Sequence, residues 1–270
     1  MKRRIFVATL LLLATAGTLA AHDLFLRLDS YFLAPGATIT ARVLNGTFST
    51  SENSVARDRV RDLAVVGPTG RGEVDTTAWA AEGDTSVLTV RTQESGTYVL
   101  GASLLPRELR LEAKDFNAYL ASDGVPDVLA ARGRSKELGR AARERYSKHV
   151  KALVQVGDRR TDGYETALGY PAELVPLDNP YALRPGGVLR VRAVVEGRPV
   201  ANQLVQAGGR TTAGGRIAQR SVRTDGGGVA RIRLATRGTW YVKFIHMERA
   251  AGDSTIDYES KWATLTFGVR

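Results

Sequence analysis

Three histidines and no cysteine limit the chemistry open to this 270-residue chain. The histidines are His22, His149 and His246. Without thiolates, a metal must be held by nitrogen and oxygen, a donor set that suits nickel, cobalt, copper or zinc once imidazole is present. Strand residues two apart share a face, so His246 and Glu248 point the same way. Asp257 and Glu259 do the same on the strand expected to return beside them. His149 stands among Lys148 and Lys151, whose charge disfavours a bound cation. The candidate metal ligands are therefore His22, His246, Glu248, Asp257 and Glu259. Each also has an ordinary reading, as a hydrogen-bonded structural imidazole or a solvated hairpin charge.

Motifs for catalysis are absent. There is no Gly-x-Ser-x-Gly turn to raise a nucleophile, no His-Glu-x-x-His pair and no phosphate-cradling P-loop. No local signature pairs carboxylates for hydrolysis. The chain is therefore expected not to be an enzyme.

The placement of His22 comes from the segment before it. Lys2, Arg3 and Arg4 form a basic start, Ile5 to Ala16 is apolar apart from two threonines, and Thr18-Leu19-Ala20-Ala21 supplies small residues. That is the pattern of a signal peptide over residues 1–21, and its apolar run is too short to span a bilayer. Export to the periplasm is expected, with no integral membrane segment after cleavage. Cutting after Ala21 makes His22 the first residue, whose amine and imidazole can chelate one ion together. Cutting after Ala20 leaves Ala21 in front of it, and the small-residue rule allows either.

The formal charge is +10, or +7 once Lys2, Arg3 and Arg4 are set aside. The basic residues are scattered through expected strands without the interleaved aromatics of single-strand binders, so nucleic acid is not an expected partner.

The elements that must position the histidines fall into three sections. Residues 22–105 contain short alternating runs such as Leu24 to Leu28, Thr38 to Val43, Val87 to Val90 and Tyr98 to Leu100. Turn formers such as Pro35-Gly36, Gly67-Pro68 and Ser95-Gly96 separate them. That rhythm predicts a β-sandwich of immunoglobulin-like type. Residues 106–157 are expected to form a helical insertion or linker. Within it Ser135 would cap a long polar helix reaching Val156, with Tyr146, Val150 and Leu153 on one apolar stripe. Residues 158–270 return to β: Leu189 to Val195, Leu204 to Ala207, Val229 to Leu234, Trp240 to His246 and Trp262 to Phe267. The expected fold class is mainly β, with two immunoglobulin-like or transthyretin-like β-sandwich domains.

Several strings taken together resemble a known family. They are Ala21 to Leu26, Arg145 to His149, Glu173 to Tyr181, Val222 to Asp225, Trp240 to Met247 and Glu259 to Phe267. The chain resembles exported bacterial proteins of a domain of unknown function, associated with the periplasmic component of cobalt or nickel uptake. The resemblance implies a metal-binding accessory protein, with an inner-membrane metal transporter as a partner and His22 and His246 as the main ligands. The chain departs from the family pattern at Lys261 and in the basic loop Gly208 to Arg220. A different class of function is a non-enzymatic exported module that binds glycan or protein, since function lives in sites grafted on such folds.

Overall fold

The computed structural model describes residues 22–270, so the expected signal peptide lies outside the described residues. The protein is mainly β, and its strands form three sheets. A central sheet runs in the order Arg216–Arg223, Leu204–Thr211, Gly238–Arg249, Tyr258–Val269, Ala142–Val156, Gly96–Leu104, Val60–Gly67 and Gly70–Gly72. Strands from both expected β sections therefore share one sheet, with Ala142–Val156 joining them. It pairs in parallel with Tyr258–Val269 and antiparallel with Gly96–Leu104.

The two faces of this sheet carry different layers. A four-stranded sheet built on Asp23–Leu28 and Thr38–Gly46 covers one face. The hydroxyls of Thr264 and Thr266 on the last central strand fix it there by donating to the carbonyls of Leu24 and Leu26, at 2.8 and 2.5 Å. Two helices, α1 (Ala113–Ser122) and α2 (Pro126–Arg134), extend the same layer. In α1, Phe116, Tyr119 and Leu120 lie three and four residues apart, so they form one buried stripe against Ile245, Tyr258 and Trp262. The second small sheet, built on Ala172–Pro176 and Val188–Val195, covers the opposite face. Each face of the central sheet thus makes its own sandwich, and both sandwiches share that sheet.

The long helix expected up to Val156 is not present. Helix α2 ends at Arg134, Lys136 takes a left-handed conformation at φ 59°, and Ala142–Val156 is a strand. Buried Arg132 turns the chain out of the helix, because its guanidinium collects the carbonyls of Glu137 and Arg140 at 2.8 and 2.5 Å. The supposed stripe divides accordingly. Strand residues alternate, so Tyr146 and Val150 face the N-terminal layer and Leu153 faces the other.

Polar side chains of this central strand are buried and must therefore be partnered. The Lys151 ammonium lies 3.0 Å from Glu173 and donates to the Thr166 carbonyl at 2.8 Å. Glu173 also accepts the amides of Leu168 and Tyr170, each at 2.8 Å. Burial lowers the Lys151 pKa, and the Glu173 carboxylate opposes that shift. His149 sits between the hydroxyls of Ser103 and Ser147 at 2.9 and 3.0 Å. Burial, with Arg61 and Lys261 nearby, pushes it down to about 3 and keeps it neutral.

Breaking a buried ion pair from one side leaves an uncompensated charge and costs about 3–5 kcal/mol. Lys151→Met should lower the unfolding free energy by that amount in urea titration. Adding Glu173→Gln, which neutralises the carboxylate while keeping an acceptor for the two amides, should recover more than half. Equal stabilities of the single and double variants would contradict the pairing.

Candidate metal-binding and polar sites

His22 enters the N-terminal strand Asp23–Leu28, where Asp23 lies opposite Gly46 in the antiparallel ladder. The chain after Gly46 folds straight back. Thr47 accepts the amides of Ser49 and Thr50 at 3.2 and 3.1 Å, and Gly46 bridges to Ser51. A Cβ at Gly46 would meet the Thr50 carbonyl at 2.5 Å, so the approach requires glycine. This tight return delivers Glu52 to His22, placing their Oε2 and Nε2 atoms 3.1 Å apart. Both side chains reach solvent, at 22% and 50% exposure.

The main chain of the same strand is anchored from beneath by two lysines of the central sheet. Lys148 donates to the His22 carbonyl and to Asn45 Oδ1, the latter at 3.3 Å. Lys243 pairs with the Asp23 carboxylate, whose second oxygen is buried without a partner among the described residues. Burial pulls Lys148 down to about 8, with Asp23 acting in the opposite direction. Two further acids line this face. Burial pushes Asp123 up to about 6 against the pull of Lys243. Burial also pushes Glu144 up to about 7, although hydrogen bonds from Ser260 and Tyr119 oppose it. Tyr119 donates to Glu144 Oε1 at 3.1 Å, whereas Oε2 is buried with no partner among the described residues.

His246 lies on the other face of the same sheet. Lys243 faces the N-terminal layer, and His246, three residues on, has the opposite parity on an unbroken strand. Its Nδ1 sits 3.0 Å from Gln203 Oε1. The Gln203 amide nitrogen donates to the carbonyls of Leu204 and Ile245, both at 3.1 Å, so its oxygen is the group offered to the ring. Nδ1 thus faces an acceptor, and Nε2 faces Glu248 Oε1 at 3.1 Å. The expected shared face of His246 and Glu248 is present.

The five candidate ligands do not converge. His22 meets Glu52 on one side of the central sheet, and His246 meets Glu248 on the other. Asp257 accepts the Arg143 amide at 2.8 Å and its guanidinium at 3.4 Å, which makes it a structural acceptor. Glu259 stands directly across the ladder from Glu248. Among the described residues, no group of three histidines or carboxylates is arranged to hold an ion. What the structure provides is two separate imidazole–carboxylate pairs.

Each pair nevertheless fits a transition metal in one respect. Metal–nitrogen and metal–oxygen bonds run about 2.0–2.2 Å, so adjacent donors on one ion lie roughly 3 Å apart, as both pairs do. Glu52 and Gln203 escape a search of the sequence for spaced ligands, since neither lies in a motif. The buried Lys243 does have a signal, a lysine set within the aromatic strand Trp240-Tyr241-Val242-Lys243-Phe244.

A carboxyl whose folded pKa is raised contributes stability below its unfolded value and loses it as pH rises through the folded one. For Glu144 that window runs from its ordinary 4.5 to about 7. Glu144→Gln, which mimics the protonated acid, should gain stability relative to the wild type across this window. The gain should be on the order of 1–3 kcal/mol, read from chemical denaturation at pH 4.5 and 7.5. An unchanged difference between the two pH values would exclude the shift.

Among the described residues no helix is long and apolar enough to cross a membrane. No curated protein matches the chain. A family profile does match it over residues 19–248, which takes in both imidazole–carboxylate pairs and the strand that separates them. The chain belongs to the family described as "Domain of unknown function (DUF4198)".

Proposed function

We propose that this protein is an exported carrier of a divalent transition metal, nickel or cobalt, that serves metal uptake by passing its cargo to an inner-membrane transporter. The observation that carries the reading is the His22–Glu52 pair, with its donor atoms 3.1 Å apart on a strand anchored by Lys148. If the signal peptide is cut after Ala21, the new amine belongs to His22 itself and adds a third donor. Imidazole, amine and carboxylate form the nitrogen–oxygen set expected for nickel, cobalt or copper in a cysteine-free chain. His246 and Glu248 form a second, independent pair, so they are not part of the His22 shell. The inference from family resemblance that His22 and His246 act together gives way here to a site on one face.

Calorimetric titration of the periplasmically processed, untagged protein with Ni²⁺, Co²⁺, Cu²⁺ and Zn²⁺ tests this. His22→Ala should abolish the tightest site. Glu52→Gln should weaken it by at least about tenfold, or about 1.4 kcal/mol. His246→Ala should leave that site unchanged. Loss of binding in His246→Ala alone would move the site to the other face, and no binding by the wild type would leave the glycan- or protein-binding alternative.

A further inference from the structure

A cleft of about 580 Å³ opens beside the end of the central strand, away from both imidazole pairs, and arginine dominates the charge of its lining. Arg160, Arg184 and Arg270 line it, and Asp158 is the one carboxylate side chain in the lining. Even with an α-carboxylate at Arg270, guanidinium groups remain in excess. Several other surface arginines sit against a carboxylate, as Arg71 does with Asp62, Arg190 with Asp178 and Arg223 with Asp127. The three cleft arginines have no such partner among the described residues.

The cleft is held open by elements fixed from within. Its floor is the short strand Phe32–Leu33, which pairs in parallel with Gln155 and Val156. One wall is the turn after the central strand. There the Gln155 amide donates to the carbonyls of Val156, Gly157 and Arg159, at 3.2, 3.1 and 2.9 Å. Gly157 takes φ +59°, and a Cβ on it would meet Ser95 Oγ at 2.2 Å, so the turn that leads to Arg160 requires glycine there. The other wall is the turn Pro180–Ala182. Asn179 Oδ1 caps it by accepting the Tyr181 amide at 2.9 Å, and the Tyr181 hydroxyl donates to the Leu153 carbonyl at 2.5 Å. Arg184 follows two residues after this turn. The Arg270 guanidinium lies 3.7 Å from the centre of the Phe32 ring, which holds its plane while its edge donors stay free.

We propose that this cleft is a binding site for a small molecule bearing two or more carboxylate or phosphate groups. Guanidinium is the group best shaped to receive such oxyanions, because its planar donors engage two oxygens at once. The volume lies in the range of small-ligand pockets, about 300–1,000 Å³. A molecule with two or more oxyanion groups can engage separate guanidinium groups at once, which a single carboxylate cannot do. The concave, local shape suits a small molecule better than an extended polyanion.

Citrate and pyrophosphate are suitable probes, with acetate as the singly charged comparison, in calorimetry on metal-free protein at low salt. Saturable binding of at least one probe is expected, with acetate far weaker. Arg160→Ala, Arg184→Ala and Arg270→Ala should each weaken it about tenfold, the effect of losing a charge-assisted hydrogen bond. These exposed residues should leave the melting temperature unchanged, so a loss of binding will not reflect unfolding. Arg223→Ala, remote from the cleft, and His22→Ala should both retain full affinity, the latter separating this site from the proposed metal site. Absence of saturable binding at millimolar probe would overturn the proposal, as would an Arg223→Ala effect as large as those in the cleft.

Discussion

The architecture depends on one strand, Ala142–Val156, that carries charge on both faces while lying at the centre of the largest sheet. A buried ammonium is stable only where other groups complete its hydrogen bonds, so each lysine of this strand dictates what must cover it. On one face Lys148 collects the His22 carbonyl and Asn45, which brings the N-terminal sheet down onto that side. On the other, Lys151 takes Glu173 and the Thr166 carbonyl, which brings down the C-terminal small sheet. The apolar contacts supply most of the area, but they are tolerant of sliding. The two lysines are directional, and they fix the register of both layers against the shared strand.

The shared strand also separates the two histidine sites. Had the two sandwiches been independent units joined by a helical linker, a close approach of His22 and His246 would have been open. With one continuous sheet between the layers, parity decides the matter. Lys243 meets Asp23 on the N-terminal side, so His246 must face the other way. The sheet backbone lies between the two imidazoles, and no rotamer change brings them together.

Much of this fold is legible in the sequence, and the illegible part has a physical cause. Leu24 to Leu28, Thr38 to Val43 and Trp240 to His246 read as strands because alternation or β-branched and aromatic enrichment is local. The mainly β class and the helical nature of the segment around Phe116 and Tyr119 follow from the same signals. Ala142–Val156 does not, because a strand buried on both faces loses its alternation, and its polar anchors imitate the solvated side of a helix. Tyr146, Val150 and Leu153 fall at helical spacing by coincidence. The partners of the histidines are harder still to read. Glu52 reaches His22 only through the Gly46–Ser51 bridge, and Gln203 reaches His246 across strands. Neither contact has a periodicity to betray it.

The charged groups around His22 differ between the two sides of the N-terminal strand. The interior beneath the N-terminal strand holds three acids, Asp23, Asp123 and Glu144, beside the two ammonium groups of Lys148 and Lys243. Burial pushes Glu144 to about 7 and Asp123 to about 6, so both bind protons more readily than ordinary carboxyls. Asp23 is already matched by Lys243, and Lys148 at about 8 keeps most of its charge at neutral pH. Acids and ammonium groups therefore nearly offset one another in the interior, and a divalent ion entering it would meet both lysines. Outside the strand the Glu52 carboxylate reaches solvent at the His22 ring. Lys148 also acts on this rim: by gripping the His22 carbonyl it holds that residue beside Glu52. A donor fixed before the ligand arrives loses less conformational entropy on binding, and here the fixing group is part of the strand that organises the whole fold.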